Sequence, residues 1–366
     1  MAKKIKVLHI INSLALGGAE TLLADLIARM DRTRFDNHVA HLLSPDHSGQ
    51  ATIKAGVPIY DLSRNGKPNP LMLLKLSRLI DQMKPDIVHT HAVQSDLVGH
   101  MACMLKGIRN RVSSQHSAFH PKNGTLIYRI ARSLTHHAAA VIAVNDYCRD
   151  YLVRVMGYAP DIIRVITNGI DLKKFPPREP PRENSPTLRV GTLGRLHPQK
   201  GLTTLVEAMA EVAGKIKIQC FIPGSGEQEP LLRDMVRKNK LKDILSFPGP
   251  LTGIPKIEYL HQLDIFLQPS HWELFGISIL EAMAVGLPVI ASNLEGIPAL
   301  VENGRTGILV EPKNPSALAQ AVIELGKDLP RRRRYGENAR QRAKLFTIER
   351  TVAGLEKIYT ELVAGI

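Results

Sequence analysis

Glu273-Leu-Phe-Gly-Ile-Ser-Ile-Leu-Glu281, continued by Ala282-Met-Ala-Val-Gly286-Leu-Pro288-Val-Ile-Ala-Ser292, decides how the rest of the chain is read. It predicts a loop, a helix entered at glycine and a short apolar strand. Ile277, Leu280, Ala284 and Val285 recur at near-helical spacing just after Phe275 and Gly276. Gly286 and Pro288 stop the helix. Asp264-Ile-Phe-Leu-Gln-Pro269 delivers the loop from a buried strand closed by proline. A helix beginning near Gly276 turns its unpaired N–H groups and positive dipole end toward the Glu273 loop, where a phosphate would sit. Glu281 lies further along the same helix, roughly 7.5 Å past its start at 1.5 Å per residue. Two carboxylates so spaced suit a polyol beside a diphosphate.

Upstream, Leu188-Arg-Val-Gly-Thr-Leu-Gly194-Arg195-Leu196 predicts a strand, and His197-Pro-Gln-Lys200-Gly201 a loop opening the helix Leu202 to Val212. Arg195 and Lys200 put two cations at the mouth of that strand. Arginine grips a diphosphate bidentately and lysine acts as a point charge. At the other end of the chain, Lys6 to Ile11 reads as a first strand, followed by Gly17-Gly18-Ala-Glu20 and a helix with Leu22, Leu23, Leu26 and Ile27 on one face. A glycine pair between strand and helix offers backbone N–H groups to a phosphate. Neither Gly-x-Gly-x-x-Gly nor Gly-x4-Gly-Lys-Ser/Thr occurs at these turns. Strands and helices alternate through both halves, which predicts parallel sheets covered on both faces.

The spacing Glu-x7-Glu, with Phe275-Gly-Ile-x-x-Leu-Glu281-Ala-Met-Ala-x-Gly286-x-Pro288-Val-Ile-Ala, resembles the donor site of the retaining GT-B glycosyltransferases of family 4. Gly194-Arg195-Leu-x-x-x-Lys200-Gly201 and the early Gly-Gly-Ala-Glu are similar to further motifs of that family. Leu274 departs from the Pro or Gly that many relatives carry there. The resemblance implies an α/β protein of GT-B fold, two Rossmann-like domains with parallel sheets facing across a cleft. Residues 1–175 would be the acceptor domain, rejoined by a C-terminal helix at 347–366. Residues 176–186, with five prolines in eleven positions, would be the linker, and 187–346 the nucleotide-sugar donor domain.

The activity implied is transfer of a sugar, with retention, from a nucleotide diphosphate sugar to an acceptor hydroxyl, a UDP-sugar being favoured over a GDP-sugar. Arg195 and Lys200 would hold the departing diphosphate, Glu273 the donor-sugar hydroxyls, Glu281 the ribose hydroxyls, and Gly17 and Gly18 the distal phosphate. Phe275, Gly276 and Ile277 would line the donor site, and His116, at the end of a strand, would contact the sugar and help position the acceptor. Asp-x-Asp occurs nowhere, which fits catalysis without a metal or other cofactor. Two other readings compete: a GT-B-fold sugar-nucleotide epimerase, which would use the same diphosphate grip, and a basic nucleic-acid-binding protein, which would explain the positive charge. The second would leave the paired glutamates unused.

Composition narrows the rest. The chain has 366 residues, enough for two domains. Cys103, Cys148 and Cys220 are odd in number and far apart, which predicts buried thiols in a reducing cytoplasm. Met1 to Asn12 has the basic start of a signal peptide, but its apolar run is short and leads into the glycine turn. No stretch is long and apolar enough to predict a spanning helix. Of the net charge of +14, residues 1–175 carry +10. With the mixed basic and apolar segment Met101 to His137, this fits contact with the inner face of an anionic membrane and a carbohydrate or glycolipid acceptor, or else a further pair of amphipathic helices packed on the sheet under a solvated basic surface. His89 and His91 share a strand face, yet lack a third and fourth metal ligand in the sequence, so local hydrogen bonding is expected. The run Arg331 to Arg334 reads as a solvated helix face, with no nucleic-acid partner.

Overall fold

The computed structural model describes residues 3–14, 17–43, 56–64, 69, 71–115, 126–179, 187–294 and 296–365. The chain forms two compact units, Met1–Gly169 with Ile348–Ile366, and Ile170–Thr347. The division falls ahead of the proline-rich stretch expected as the linker. Arg178, within that stretch, is held by the second unit: its N–H bonds Val285 O at 3.0 Å and its Nη1 bonds Leu263 O at 2.8 Å.

The first unit runs β1 (Ile5–Ile11), α1 (Gly18–Arg29), β2 (Phe35–His41), β3 (Ile59–Asp61), α2 (Met72–Met83), β4 (Ile87–His91), α3 (Val93–Leu105), β5 (Arg111–Ser114), α4 (Leu126–Thr135), β6 (Ala140–Ala143), α5 (Asp146–Arg154) and β7 (Ile163–Val165). Its sheet is parallel throughout, in the order β3-β2-β1-β4-β5-β6-β7. The last five residues of β1 are buried whichever way they point, as in a strand covered on both faces. On one face Leu8, Ile10, Ala40 and Val88 pack against Leu76 and Ile80 of α2 and Cys103 of α3. On the other, Ile11 and Val39 meet Leu23 and Ile27 of α1.

The second unit runs β8 (Leu188–Gly191), α6 (Leu202–Val212), β9 (Ile218–Phe221), α7 (Glu229–Lys238), β10 (Leu245–Ser246), α8 (Gly253–Gln262), β11 (Ile265–Gln268), α9 (Ile277–Val285), β12 (Val289–Ser292), β13 (Gly307–Val310), α10 (Pro315–Lys327) and α11 (Leu329–Ala343). This sheet is also parallel, in the order β10-β9-β8-β11-β12-β13. The last helix, α12 (Ile348–Ala364), belongs to the first unit. There Glu356 Oε1 accepts the Asp31 N–H at 2.8 Å and the Thr351 hydroxyl donates to Thr167 O at 2.9 Å.

Two expectations change. The apolar repeat of α9 predicts a one-sided helix, whereas every residue from Ile279 to Val285 is buried, Glu281 included. The arginine run is not simply solvated. Arg332 is buried and donates to the C-terminal carbonyl Leu325 O at 3.1 Å, and Arg331 Nε donates to the Tyr335 hydroxyl at 2.8 Å. Arg332 thus closes the end of α10 with a cation, where the helix dipole favours one.

Candidate functional site

In each sheet the strand order reverses once, between β1 and β4 and between β8 and β11. Ligands of open parallel sheets bind beyond the strands' carboxyl ends at such reversals. In the second unit those ends open into the loops 192–201, after β8, and 269–276, after β11. The two loops touch at Gly201, whose φ is +60° and whose Cβ, if it had one, would lie 1.9 Å from Pro269 O. Only glycine fits there. His271 N–H then bonds Gln199 O at 2.8 Å, and across this seam Lys200 Nζ reaches Glu273 Oε2 at 2.7 Å. Their side chains are 18% and 9% exposed, so this is a mostly dry ion pair.

Arg195, on the same loop, is exposed, and among the described residues no carboxylate pairs with it. His197 accepts the Gln199 N–H on Nδ1 at 3.2 Å, leaving its proton on Nε2. Burial, with the Arg195 charge beside it, lowers the His197 pKa, so the ring is neutral near pH 7. Trp272 stands edge-on to it, centroids 6.2 Å apart.

Helix α9 opens at Gly276 with φ +91°, a left-handed entry that other residues resist. Ile279 and Leu280 N–H bond Gly276 O at 3.0 and 3.2 Å, which leaves the Ile277 and Ser278 N–H groups without backbone partners among the described residues. A buried chain fixes this first turn to β11. Ser278 Oγ donates to Gln268 Oε1 at 3.1 Å, and Gln268 Nε2 donates to Ser270 Oγ at 2.7 Å. At the far end the Arg178 backbone N–H and the Arg340 guanidinium bond the last carbonyls of α9, Val285 O and Ala284 O. Burial lowers the Arg178 pKa to about 10, which still leaves it charged at neutral pH.

Glu281 is also paired: Lys256 of α8 places Nζ 2.6 Å from its Oε1. Leu274 and Phe275 are buried, the Phe275 ring lying edge-on against Phe346 at 6.1 Å. Any part Phe275 takes toward a ligand therefore runs through its backbone.

In the first unit Gly17 and Gly18 lie at the N-terminus of α1, beyond β1 and beside the reversal. The Glu20 carboxylate folds back over Gly17, 2.2 Å from where a Gly17 Cβ would be, while the space beside Gly18 is open. A phosphate approaching these glycines meets that carboxylate as well as the N–H groups. His116 lies outside the described residues.

His89 and His91 stack at 4.2 Å, and His9, the register partner of His89, supplies the third imidazole that their spacing alone did not. Hydrogen bonds already engage both nitrogens of two of these rings. His9 meets His91 Nε2 at 3.2 Å and Asn37 Oδ1 at 3.1 Å, while His89 meets the Tyr359 hydroxyl at 2.5 Å and Ser114 Oγ at 2.7 Å. A metal would have to displace these bonds. Asp96 takes no part, since it accepts from Thr90, Ser113 and Gln115 elsewhere in the unit. The three cysteines are buried and unbridged, and burial raises Cys103, Cys148 and Cys220 to about 12, 11 and 12. They are inert thiols at neutral pH.

A family profile described as Glycosyl transferases group 1 matches residues 175–342, and one described as Glycosyltransferase Family 4 matches residues 16–174. An Escherichia coli enzyme, UDP-Gal:alpha-D-GlcNAc-diphosphoundecaprenol alpha-1,3-galactosyltransferase, is 30% identical over 273 residues, 70% of each chain. The chain belongs to the group 1 glycosyltransferases.

This group 1 glycosyltransferase is also 30% identical over 277 residues to the glycogen synthase of Mycobacterium tuberculosis. The match covers 71% of the chain and 64% of that relative's length. Over 99% of its length it superposes on all of Anabaena HepE, whose structure was solved in complex with UDP-glucose, with a TM-score of 0.84 and 23% identity. Its two Rossmann-like units are those of the GT-B fold. Arg195, Lys200, Glu273, Gly276 and Ile277 of the glycosyltransferase fall on the two loops at the β8/β11 reversal and the helix start that follows, with Glu281 further along α9. Lys256 and Trp272 were not foreseen at this site. Trp272 is the only tryptophan in the chain and adjoins Glu273, a signal available in the sequence; Lys256 carried none.

Proposed function

We propose that the protein is a retaining glycosyltransferase that moves a hexose from a nucleotide diphosphate sugar, a UDP-sugar ahead of a GDP-sugar, to an acceptor hydroxyl in the assembly of a surface polysaccharide or glycolipid. The observation that carries this reading is the grouping of Arg195, the Lys200–Glu273 pair and the unpaired first-turn N–H groups of α9 around the end of one sheet. Negative charge develops on the departing diphosphate, and fixed donors aimed at it lower the barrier. Arg195 and the Ile277 and Ser278 N–H groups supply them. Lys200 has three ammonium protons, so one can stay on Glu273 while the others turn to the diphosphate.

Glu273, anchored by Lys200, accepts from donor-sugar hydroxyls, and Glu281 from the ribose. His116 and the glycines at 17 and 18 contribute the sugar and distal-phosphate contacts. The acceptor oxygen bonds the anomeric carbon on the face from which the diphosphate leaves, and the acceptor proton passes to the diphosphate. No metal is required in this account. A UDP-sugar donor is supported by the UDP-glucose complex of HepE and by the donor in the name of the E. coli relative.

The diphosphoundecaprenol acceptor in that name supports a lipid-linked acceptor and peripheral action at the cytoplasmic face of a membrane. Met104 and Leu105 are exposed at the end of α3 beside exposed Lys106 and Arg109, a mixture that suits an anionic interface. Among the described residues no helix is long and apolar enough to cross a membrane.

The test is turnover of UDP-glucose and UDP-galactose with polyprenyl-diphosphate sugar acceptors, the product anomer being read by NMR. UDP release coupled to an α-linked product supports the proposal. Conversion of donor without acceptor would indicate an epimerase instead. Flotation with phosphatidylglycerol vesicles, and not with phosphatidylcholine vesicles, checks the membrane contact.

A further inference from the structure

Glu281 is the one ionisable residue among the buried residues of α9. Its side chain is 8% exposed, and that of Lys256 16%. Lys256 bonds Oε1 only, and among the described residues Oε2 has no partner. The Lys256 ammonium also lies 5.3 Å from the centroid of the buried Phe175 ring. The ammonium thus has two partners, one carboxylate oxygen and an aromatic ring in the range of a cation–π contact.

As a stabiliser such a pair is a poor choice, since apolar residues of the same volume commonly do as well. What the pair does provide is a carboxylate of fixed orientation with one acceptor oxygen unused. We propose that Lys256 is a positioning residue for donor recognition. By holding Oε1 it presents Oε2 to a ribose hydroxyl and so makes the site select ribonucleotides over their deoxy counterparts. The inference rests on the nucleotide-sugar reading and adds to it a residue and a selectivity.

The experiment measures metal-free calorimetric Kd values for UDP, 2′-deoxy-UDP and 3′-deoxy-UDP. Wild type, Lys256→Met, Glu281→Gln and the double variant are compared. In wild type, loss of the hydroxyl that meets Glu281 weakens binding on the order of ten- to a hundredfold, as for a hydrogen bond to a charged group. In Lys256→Met that ratio falls toward one. Adding Lys256→Met to Glu281→Gln changes it no further, because the lysine acts through the glutamate. Lys256→Arg restores part of the discrimination, which a purely structural role would not require. If Lys256→Met does not fold, Lys256→Gln, which keeps a side-chain donor, serves the same comparison.

A folded Lys256 variant that binds UDP and keeps the wild-type ratio overturns the proposal while leaving the donor reading intact. A GDP titration is run beside these, and a folded wild type that binds neither UDP nor GDP removes both readings. Wild type that binds UDP and both deoxy nucleotides alike also overturns it.

Discussion

Lys200 and Glu273, 73 positions apart in the chain, meet at 2.7 Å because Gly201 lets the loops after β8 and β11 close on each other. The cation expected on the diphosphate and the carboxylate expected on the sugar are therefore a single unit. Lys200→Ala leaves Glu273 as a mostly buried carboxylate without its partner, and removing one member of a buried pair costs about 3 to 5 kcal/mol. Turnover falls on the order of 10² to 10³, as when one charge-stabilising donor is removed. Adding Glu273→Gln restores stability in urea unfolding without restoring turnover. Recovery of both would show that the pair is structural only.

Gly276→Ala tests the entry to α9. Its φ of +91° and the 2.9 Å approach of Ile279 Cδ1 to the new methyl both oppose a side chain, and the backbone term alone is about 1 to 2 kcal/mol. The expected outcome is a lower melting temperature with nucleotide affinity lost disproportionately, because the Ile277 and Ser278 N–H groups turn away. Unchanged nucleotide affinity would remove the helix N-terminus from the site.

Trp272, the sole tryptophan, stands edge-on to His197 and directly precedes Glu273 in the chain. Its emission should shift when a nucleoside diphosphate binds and should stay fixed on the same addition to Lys200→Ala. A shift that persists in the variant would place binding elsewhere.

His9 gives the first unit a pH dependence. Burial is the chief cause of its low pKa of about 4 against an ordinary 6.5, opposed by the hydrogen bond with Asn37. The unfolded chain takes up a proton below about pH 6.5 that the folded unit refuses until about pH 4. Stability is thus complete above pH 6.5 and falls as the pH drops through that window, by roughly 3 kcal/mol. Hydrogen exchange of β1 and β4 amides should show the loss, and His9→Gln should flatten it.

How far this could be read from the sequence follows the range of the interactions. The bounds of α6, Leu202–Val212, and the stop of α9 at Gly286 are written locally, in apolar period and glycine, and the structure keeps them. Nothing local marks helix α8, since Gly253 and Pro255 stand at its start and only Tyr259 and Leu260 are buried. Helix α7 buries just Leu232 and Val236 in a charged segment. The glutamates, the glycine entry and the two cations were legible as a motif. Their lysine partners were legible only in part, since Lys256 meets Glu281 through the packing of α8 near α9 and no spacing encodes it. His9 likewise joins His89 through the register of β1 on β4, across 80 residues of chain.

Under the proposed function the β8/β11 loops hold a nucleoside diphosphate without a metal. That is tested most directly by calorimetric titration of UDP, GDP and ADP in EDTA against wild type and Lys200→Ala. One nucleotide, UDP first, should bind one-to-one and weaken at least tenfold in the variant, as for loss of a charge-assisted hydrogen bond. No binding of any of the three by a folded wild type, or equal binding by both proteins, would contradict that function.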